Sequence, residues 1–149
     1  MYLGAMVLGL LLMLPALAAR TARRERPVFL VAVATIAVGI GVLAAGLSSI
    51  AGIATALVIF FAGFNVLEAK LPALVSRAAP TEARGAATGV YSSVQFLGTF
   101  VGSAAGGSIA QHAGFVTALV ACLALALAWF AVAWSMGDFV PAASGMARH

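Results

Sequence analysis

Long apolar runs separated by short charged turns restrict this chain more than any other feature of its sequence. The run from Met1 to Ala19 has no charged side chain, and comparable runs follow the arginine-bearing segment Arg20–Pro27. About 20 consecutive apolar residues are enough to cross a bilayer as a helix. The chain is 64% hydrophobic and 8% charged, whereas soluble domains carry roughly 25% charged residues. A chain of 149 residues has no core large enough to bury so much apolar surface, so we predict an all-α integral membrane protein in a lipid bilayer.

The spacing of these runs predicts about five transmembrane helices and a short tail. We place the spans at about 1–19, 28–47, 53–75, 86–110 and 115–136, with 137–149 as a cytoplasmic tail. The first run can also be interpreted as a signal peptide, because Ala16-Leu17-Ala18 resembles a cleavage site. It lacks a basic n-region, however, and exceeds the usual apolar length of about 7 to 15 residues, so we favour a membrane span.

The arginines predict how the spans are oriented. If five spans alternate, one side of the membrane carries Arg20, Arg23, Arg24, Arg26, Arg77, Arg84 and Arg148. The turns on the opposite side carry no lysine or arginine. Basic loops remain in the cytoplasm, so we expect a multi-pass membrane protein with a cytoplasmic C-terminus. The arginines that set the orientation in the membrane account for the net charge of +4, so we expect no nucleic acid as a partner.

Two polar residues within the third predicted span are candidates for a functional site. Asn65 and Glu68 are three residues apart and share a helix face. An intramembrane carboxylate costs about 2.5 to 3.5 kcal/mol on insertion scales, which makes Glu68 a functional candidate. Asn65 could equally be a hydrogen-bonding contact between helices. The structural alternative for Glu68 is an ion pair with the cytoplasmic-loop residue Arg77 or Arg84, or with a partner outside this chain.

The fourth predicted span carries small residues at four-residue spacing. Its glycines Gly89, Gly98, Gly102 and Gly106 predict close helix packing, because small side chains let a second backbone approach. Tyr91 and Gln95 are also four residues apart and form a polar stripe on this helix. They either hydrogen-bond to a neighbouring helix or line a cavity, and the spacing alone favours neither.

Enzyme chemistry has little support in this sequence. A nucleophile needs a positioned base, and the histidines are His112 in a predicted turn and His149 in the tail. No HExxH, CxxC or nucleotide-binding fingerprint is present. We therefore expect no catalytic residues, no metal site and no cofactor.

A resemblance to a known family emerges from the segment FFAGFNVLEAKLPALVSRAAPTEARGAATGVYSSVQFLGTFVGSAAGG. It resembles the tenth helix, the cytoplasmic loop and the eleventh helix of major facilitator superfamily transporters, closest to the drug-exporting, proton-coupled antiporter branch. The most specific pieces are FNVLEAKLP, SRAAPTEARG and GVYSSVQFLG. On this resemblance the five spans correspond to helices eight to twelve, within the C-terminal half-bundle of a twelve-helix transporter. The segment RTARRERP keeps the arginines of the family's signature loop but lacks its Gly and Asp.

The resemblance implies a fragment of a secondary active transporter in the bacterial inner membrane that exports small molecules in exchange for protons. In such a transporter we expect the polar residues Glu68, Asn65, Tyr91 and Gln95 to lie on the substrate or proton pathway. Transporters of this kind bind substrate between two halves, so we expect the missing N-terminal half as a partner. The alternative from a different class is a small structural membrane subunit that packs helices in a larger complex, with Glu68 as a docking residue.

Overall fold

Four long helices make up the part of the chain that the structure describes. In this computed structural model the described residues are 25–135, together with Gly4 and Gly9. The helices are α1 (Glu25–Ala45), α2 (Ile50–Ala78), α3 (Arg84–Ala113) and α4 (Phe115–Ser135), and a 3-10 turn at Thr81–Ala83 precedes α3. No strand occurs within residues 25–135, so the predicted all-α class is confirmed for this part of the chain.

The connections between the helices are short and make consecutive helices antiparallel neighbours. Ser49 caps α2, and its Oγ accepts a hydrogen bond from the Gly52 N–H at 2.9 Å. Gly114 alone connects α3 to α4, with φ of +90°. That backbone conformation is open to glycine and strained for other residues, so the tight turn depends on this glycine.

Helices α1 and α2 pack with their backbones in close approach. A Cβ atom on Gly39 would lie 2.7 Å from the Phe60 nitrogen, and one on Gly63 would lie 2.6 Å from the Ala32 carbonyl oxygen. Neither position has room for a side chain, which is the usual use of glycine between membrane helices. The buried cluster at this interface and on α4 consists of Ala32, Val33, Ile36, Ala37, Ile40, Leu67, Leu119 and Ala126.

Helix α4 completes this cluster by packing along α1. The Phe29 and Trp129 rings meet edge to face, with centroids 5.8 Å apart and an interplanar angle of 83°. Near the C-terminal end of α4, the Nη2 of Arg26 donates a hydrogen bond to the Trp134 carbonyl oxygen at 2.6 Å. The first turn of α1 and the last turn of α4 are therefore tied together.

Helix α3 is the least enclosed of the four, and no residue in it is buried. A Cβ atom added at any of the four predicted packing glycines, Gly89, Gly98, Gly102 and Gly106, would meet nothing within 4 Å. No described residue of this chain makes the close approach predicted for them. Four-residue spacing of glycines creates a groove on α3, but no described helix fills it. That another helix, from outside the described residues, packs there stays a prediction.

The predicted number of membrane spans needs correction. Three described helices are long and apolar enough to cross a membrane, Arg26–Ala45, Ile50–Ala78 and Phe115–Ser135, whereas the sequence predicted about five. The predicted fourth span lies within α3, whose glycine, serine, threonine and glutamine residues lower its apolar character. The predicted first span lies outside the described residues except for Gly4 and Gly9, and the predicted tail lies wholly outside them.

The predicted cytoplasmic turn over residues 76–85 is shorter in the structure. Helix α2 continues through Arg77 to Ala78, and α3 begins at Arg84. The Arg77 Nε donates to the Ala73 carbonyl oxygen at 3.3 Å, and the Arg84 side chain is exposed. Both loop arginines therefore belong to helix ends, which flank a short connection.

Candidate functional site

Glu68 lies on α2 four residues before Pro72. Proline has no N–H to donate, so Pro72 cannot form the helical hydrogen bond to the Glu68 carbonyl oxygen. The Glu68 side chain is exposed on the surface of the described helices, on the side where α3 approaches. The side-chain carboxylate of Glu68 therefore lies where one backbone hydrogen bond of α2 is missing.

A hydrogen bond joins Glu68 to α3. The Gln95 Nε2 donates to the Glu68 Oε1, and the two atoms are 2.7 Å apart. An amide that donates to a carboxylate makes a stronger bond than one that donates to a neutral acceptor. The hydrogen-bond partner of Glu68 is therefore a neutral side chain, Gln95. It belongs to the polar stripe of Tyr91 and Gln95 that the sequence predicts on the fourth span.

The hydrogen-bonded pair lies at the wall of a cavity with a volume of about 270 Å³. All four helices contribute to its lining, which consists of Ile36, Phe64, Leu67, Glu68, Leu71, Tyr91, Val94, Gln95 and Trp129. Six of these nine residues are apolar and have no hydrogen-bonding side-chain group except the indole of Trp129. Pockets of this kind, apolar with a few convergent polar groups, are typical of small-molecule sites.

Three of the four predicted pathway residues meet at this cavity. Glu68, Tyr91 and Gln95 all line it, and Tyr91 and Gln95 share a face because they are four residues apart on α3. The structure therefore places the predicted polar stripe of α3 against the predicted carboxylate of α2. Their joint role in transport stays a prediction.

Asn65 is close to the cavity along α2 but does not belong to its lining. It is half-buried, and its Nδ2 atom is buried with no hydrogen-bond partner among the described residues. An unsatisfied buried donor costs about 1 to 3 kcal/mol, so this amide needs an acceptor that the described helices do not supply. The shared helix face predicted for Asn65 and Glu68 does not bring both residues into one pocket.

Sequence reasoning missed the apolar part of the cavity. Phe64 and Leu71 lie four residues before and three residues after Glu68, so helical spacing could have identified them as its neighbours. Ile36 and Trp129 come from α1 and α4, far away in the sequence. No spacing rule links them to Glu68, because packing between separate helices brings them there.

The described residues contain no group of three or more His, Cys, Asp or Glu side chains that could hold a metal ion. The His112 Nδ1 lies 2.8 Å from the Ser108 carbonyl oxygen on its own helix, and Cys122 is a free, exposed thiol on α4. The cavity around Glu68 is therefore the part of the described structure with the strongest case for a site.

Comparison with known proteins points to membrane transport. The chain is 40% identical over 80 residues to the inner membrane transport protein YajR of Escherichia coli (strain K12). The match covers 54% of this chain, and the chain spans only 18% of the length of that relative. No protein-family model matches the chain. The similarity supports the resemblance to major facilitator superfamily transporters and the location in an inner membrane.

Proposed function

We propose that this chain forms part of a proton-coupled secondary transporter that exports small molecules across the bacterial inner membrane. The observation that carries the proposal is the Glu68 carboxylate at an apolar cavity, hydrogen-bonded to Gln95 of a neighbouring helix. The similarity to an inner membrane transport protein supports the transport class. More narrowly, we propose that the transporter belongs to the proton-coupled, drug-exporting branch of the major facilitator superfamily.

The Glu68–Gln95 pair suits a proton-binding role because the amide can serve either state of the carboxyl group. An ionised carboxyl group at Glu68 can accept the hydrogen bond that the Gln95 Nε2 donates in the structure. Protonated Glu68 can donate its O–H to the amide oxygen after the amide turns over, since a glutamine side chain carries both a donor and an acceptor. The two helices then stay linked while the proton enters and leaves. Tyr91 is the other titratable residue in the cavity lining.

A second helical bundle would complete the site. Transporters of this type bind substrate at the interface between two repeats near the midplane of the bilayer. Helix α3 contributes Tyr91 and Gln95 to the cavity but buries none of its residues, and Phe96 and Phe100 on it are 75% and 71% exposed. We propose that this uncovered helix and its glycines face the other half of the transporter, whether that half is on the same polypeptide or another.

The uncovered helix also supports a second candidate function. A structural membrane subunit would use the glycine side of α3 to hold a larger complex together. In that case Glu68 and Gln95 would fix the angle between α2 and α3, and no small molecule would enter the cavity.

Substitution of Glu68 by glutamine distinguishes the two functions. The complete reading frame that encodes this chain would be expressed, and everted membrane vesicles would be energised by respiration. A small cationic, neutral or anionic compound that is exchanged for protons should partly collapse the pH gradient, read by a pH-sensitive dye. The Glu68→Gln variant keeps the size and the hydrogen bonding of the side chain but cannot exchange a proton, so its response should be lost.

Two further variants control this measurement. Glu68→Asp keeps a titratable group and should retain part of the response, whereas Arg84→Gln should leave it unchanged. A wild-type response from Glu68→Gln at equal expression would contradict the proton-carrier role. Loss of the response in both Glu68→Gln and Arg84→Gln, with reduced stability, would instead favour a structural ion pair at the cytoplasmic end of the helices.

A further inference from the structure

We propose that Asp138, three residues beyond the described end of α4, forms an ion pair with Arg26 and holds the end of α4 against α1. Asp138 itself lies outside the described residues. The pair would form whether or not the protein transports a small molecule, because it joins two helix ends of one chain. Two features lead to it: a donor on Arg26 without a partner, and the path of the chain after Ser135.

The guanidinium group of Arg26 has a donor that no described residue satisfies. Its Nη2 donates to the Trp134 carbonyl oxygen at 2.6 Å, whereas its Nε is buried and has no hydrogen-bond partner among the described residues. A buried donor that has lost its water and found no acceptor destabilises the fold, and more so when the group is charged. Arg26 therefore needs a further acceptor, and a carboxylate would also compensate its charge.

The shape of the guanidinium group indicates where the missing acceptor lies. The group is planar, and hydrogens on Nε and Nη2 point away from one edge, which can bind a carboxylate through two parallel hydrogen bonds. On Arg26 the Nη2 atom of this edge already faces the Trp134 carbonyl oxygen. The acceptor for Nε therefore has to lie beside that carbonyl oxygen, at the C-terminal end of α4.

The chain that follows α4 carries Asp138 to this place. In a helix, the carbonyl oxygen of Trp134 would point toward the backbone N–H of Asp138, and the two residues would share a face. If the chain is extended after Ser135 instead, its next three residues span at most about 10 Å. Either conformation keeps the Asp138 carboxylate near the Trp134 carbonyl oxygen, and therefore near Arg26.

The other acidic residues of the chain are less suitable partners. The sequence has four acidic residues, Glu25, Glu68, Glu82 and Asp138. Glu25 directly precedes Arg26, and consecutive side chains on a helix do not face each other. The Glu68 Oε1 accepts a hydrogen bond from α3, and Glu82 lies in the 3-10 turn before α3. Asp138 is the acid that the chain places next to the end of α4.

The charge at the end of α4 gives the sign of the effect to expect at Asp138. The C-terminal end of a helix carries a partial negative charge, which repels an unpaired carboxylate, whereas asparagine is accepted at such ends. Asp138→Asn should therefore stabilise the protein if Asp138 is unpaired. It should destabilise the protein if Asp138 binds Arg26, because the guanidinium group then loses its anion.

The ion pair would also support one wall of the cavity. Phe29 follows Arg26 by three residues on α1, and its ring meets the ring of Trp129 on α4 with centroids 5.8 Å apart. Trp129 lines the cavity beside Glu68. A pair between Arg26 and Asp138 would keep α4 close to α1 at this end, and so keep Trp129 in the cavity wall.

The test is a double-mutant cycle on the product of the complete reading frame in lipid nanodiscs, with the apparent melting temperature as the measurement. Arg26→Gln and Asp138→Asn should each lower this temperature by about 2 to 4 °C. The double variant should melt no lower than Arg26→Gln, because both changes remove the same ion pair. Asp138→Glu keeps the negative charge and should retain most of the stability.

The matched control combines Asp138→Asn with Arg84→Gln. The Arg84 side chain is exposed at the start of α3, so these two effects should add. Additive effects of Arg26→Gln and Asp138→Asn would overturn the ion pair. An unchanged or higher melting temperature for Asp138→Asn alone would overturn it as well.

A lipid head group is the other source of an anion for Arg26, and the same variants distinguish it. If a lipid phosphate binds there, replacement of phosphatidylglycerol by phosphatidylcholine in the nanodiscs should lower the melting temperature of the wild type but not that of Arg26→Gln. Asp138→Asn would then not lower the melting temperature in either lipid. That result would overturn the pair with Asp138.

Discussion

Gly63 and Ala32 bring α1 and α2 into backbone contact. A methyl group on Gly63 would lie 2.6 Å from the Ala32 carbonyl oxygen and 3.0 Å from the Ile36 Cγ1. The first distance is too short for a carbon–oxygen contact, and the obstructing atom belongs to a helix backbone that cannot rotate away. This contact lies in the same stretch of α1 and α2 that supplies Ile36 and Phe64 to the cavity.

Gly63→Ala should destabilise the packing of α1 against α2. Overpacking of a tight interface costs about 1 to 3 kcal/mol, and we expect a lower apparent melting temperature in detergent. Gly41→Ala is the matched control, because a Cβ atom at Gly41 on α1 would meet nothing within 4 Å. An equal melting temperature for Gly63→Ala and Gly41→Ala would contradict the backbone contact.

Gly102→Leu should be harmless to the described helices by themselves and harmful to the assembled transporter. A Cβ atom at Gly102 would meet nothing within 4 Å in this chain, so a leucine there has room. If the other half packs against this groove, leucine should prevent its close approach. The measurement is co-purification of the two halves expressed as separate polypeptides, with Ala124→Leu on the exposed side of α4 as the control.

Arg26→Gln should loosen the end of α4. The Arg26 Nη2 donates to the Trp134 carbonyl oxygen at 2.6 Å, and a positive charge at a helix C-terminus is favourable. Arg26 is only half-buried, so we expect a loss of about 1 kcal/mol of stability, less than the roughly 1.5 to 3 kcal/mol of well-buried hydrogen bonds to charged groups. Arg84→Gln removes the same charge from an exposed side chain and should change the stability less. If both variants have the same unfolding free energy, the hydrogen bond contributes no stability.

Cysteine labelling should show the orientation predicted from the arginines. In a variant with Cys122 replaced by serine, a cysteine at Thr81 should be shielded from an impermeant thiol reagent in intact cells. A cysteine at Ala113 should react, because that turn lies on the side without arginine or lysine. Both positions are exposed, and a permeant reagent that labels both is the control. Labelling of Thr81→Cys but not of Ala113→Cys would show that the orientation is reversed.

Local features of the sequence were enough to predict the helical class and the approximate position of the described helices. The apolar runs and the turn residues between them depend only on neighbours in the chain. The extent of α3 shows the limit of this approach. Its predicted span was 86–110, whereas the helix runs from Arg84 to Ala113 and lies outside the candidate membrane spans. Length and helicity could be predicted, but its mixture of small and polar residues was given too little weight.

The polar part of the candidate site could also be predicted, since Glu68, Tyr91 and Gln95 are unusual in apolar helices. What could not be predicted is which helices meet. The glycines that allow backbone contact between α1 and α2 are Gly39 and Gly63, and neither belongs to a series at four-residue spacing. The regular glycine spacing of α3 meets no described residue. The spacing of glycines predicts where a helix surface is flat enough for close packing. It does not predict which other helix packs there.

The single-residue connection at Gly114 has a consequence for how the protein is made. Helix α3 has too little apolar character to be among the candidate membrane spans, whereas α4 is one of them. Because a single residue, Gly114, separates the two helices, we expect them to pair as soon as both have been synthesised. We expect the strongly apolar α4 to help the less apolar α3 enter the lipid, so that the two helices insert together as one hairpin. The side of the cavity that carries Tyr91 and Gln95 should therefore reach the membrane only once α4, which is synthesised later, is also present.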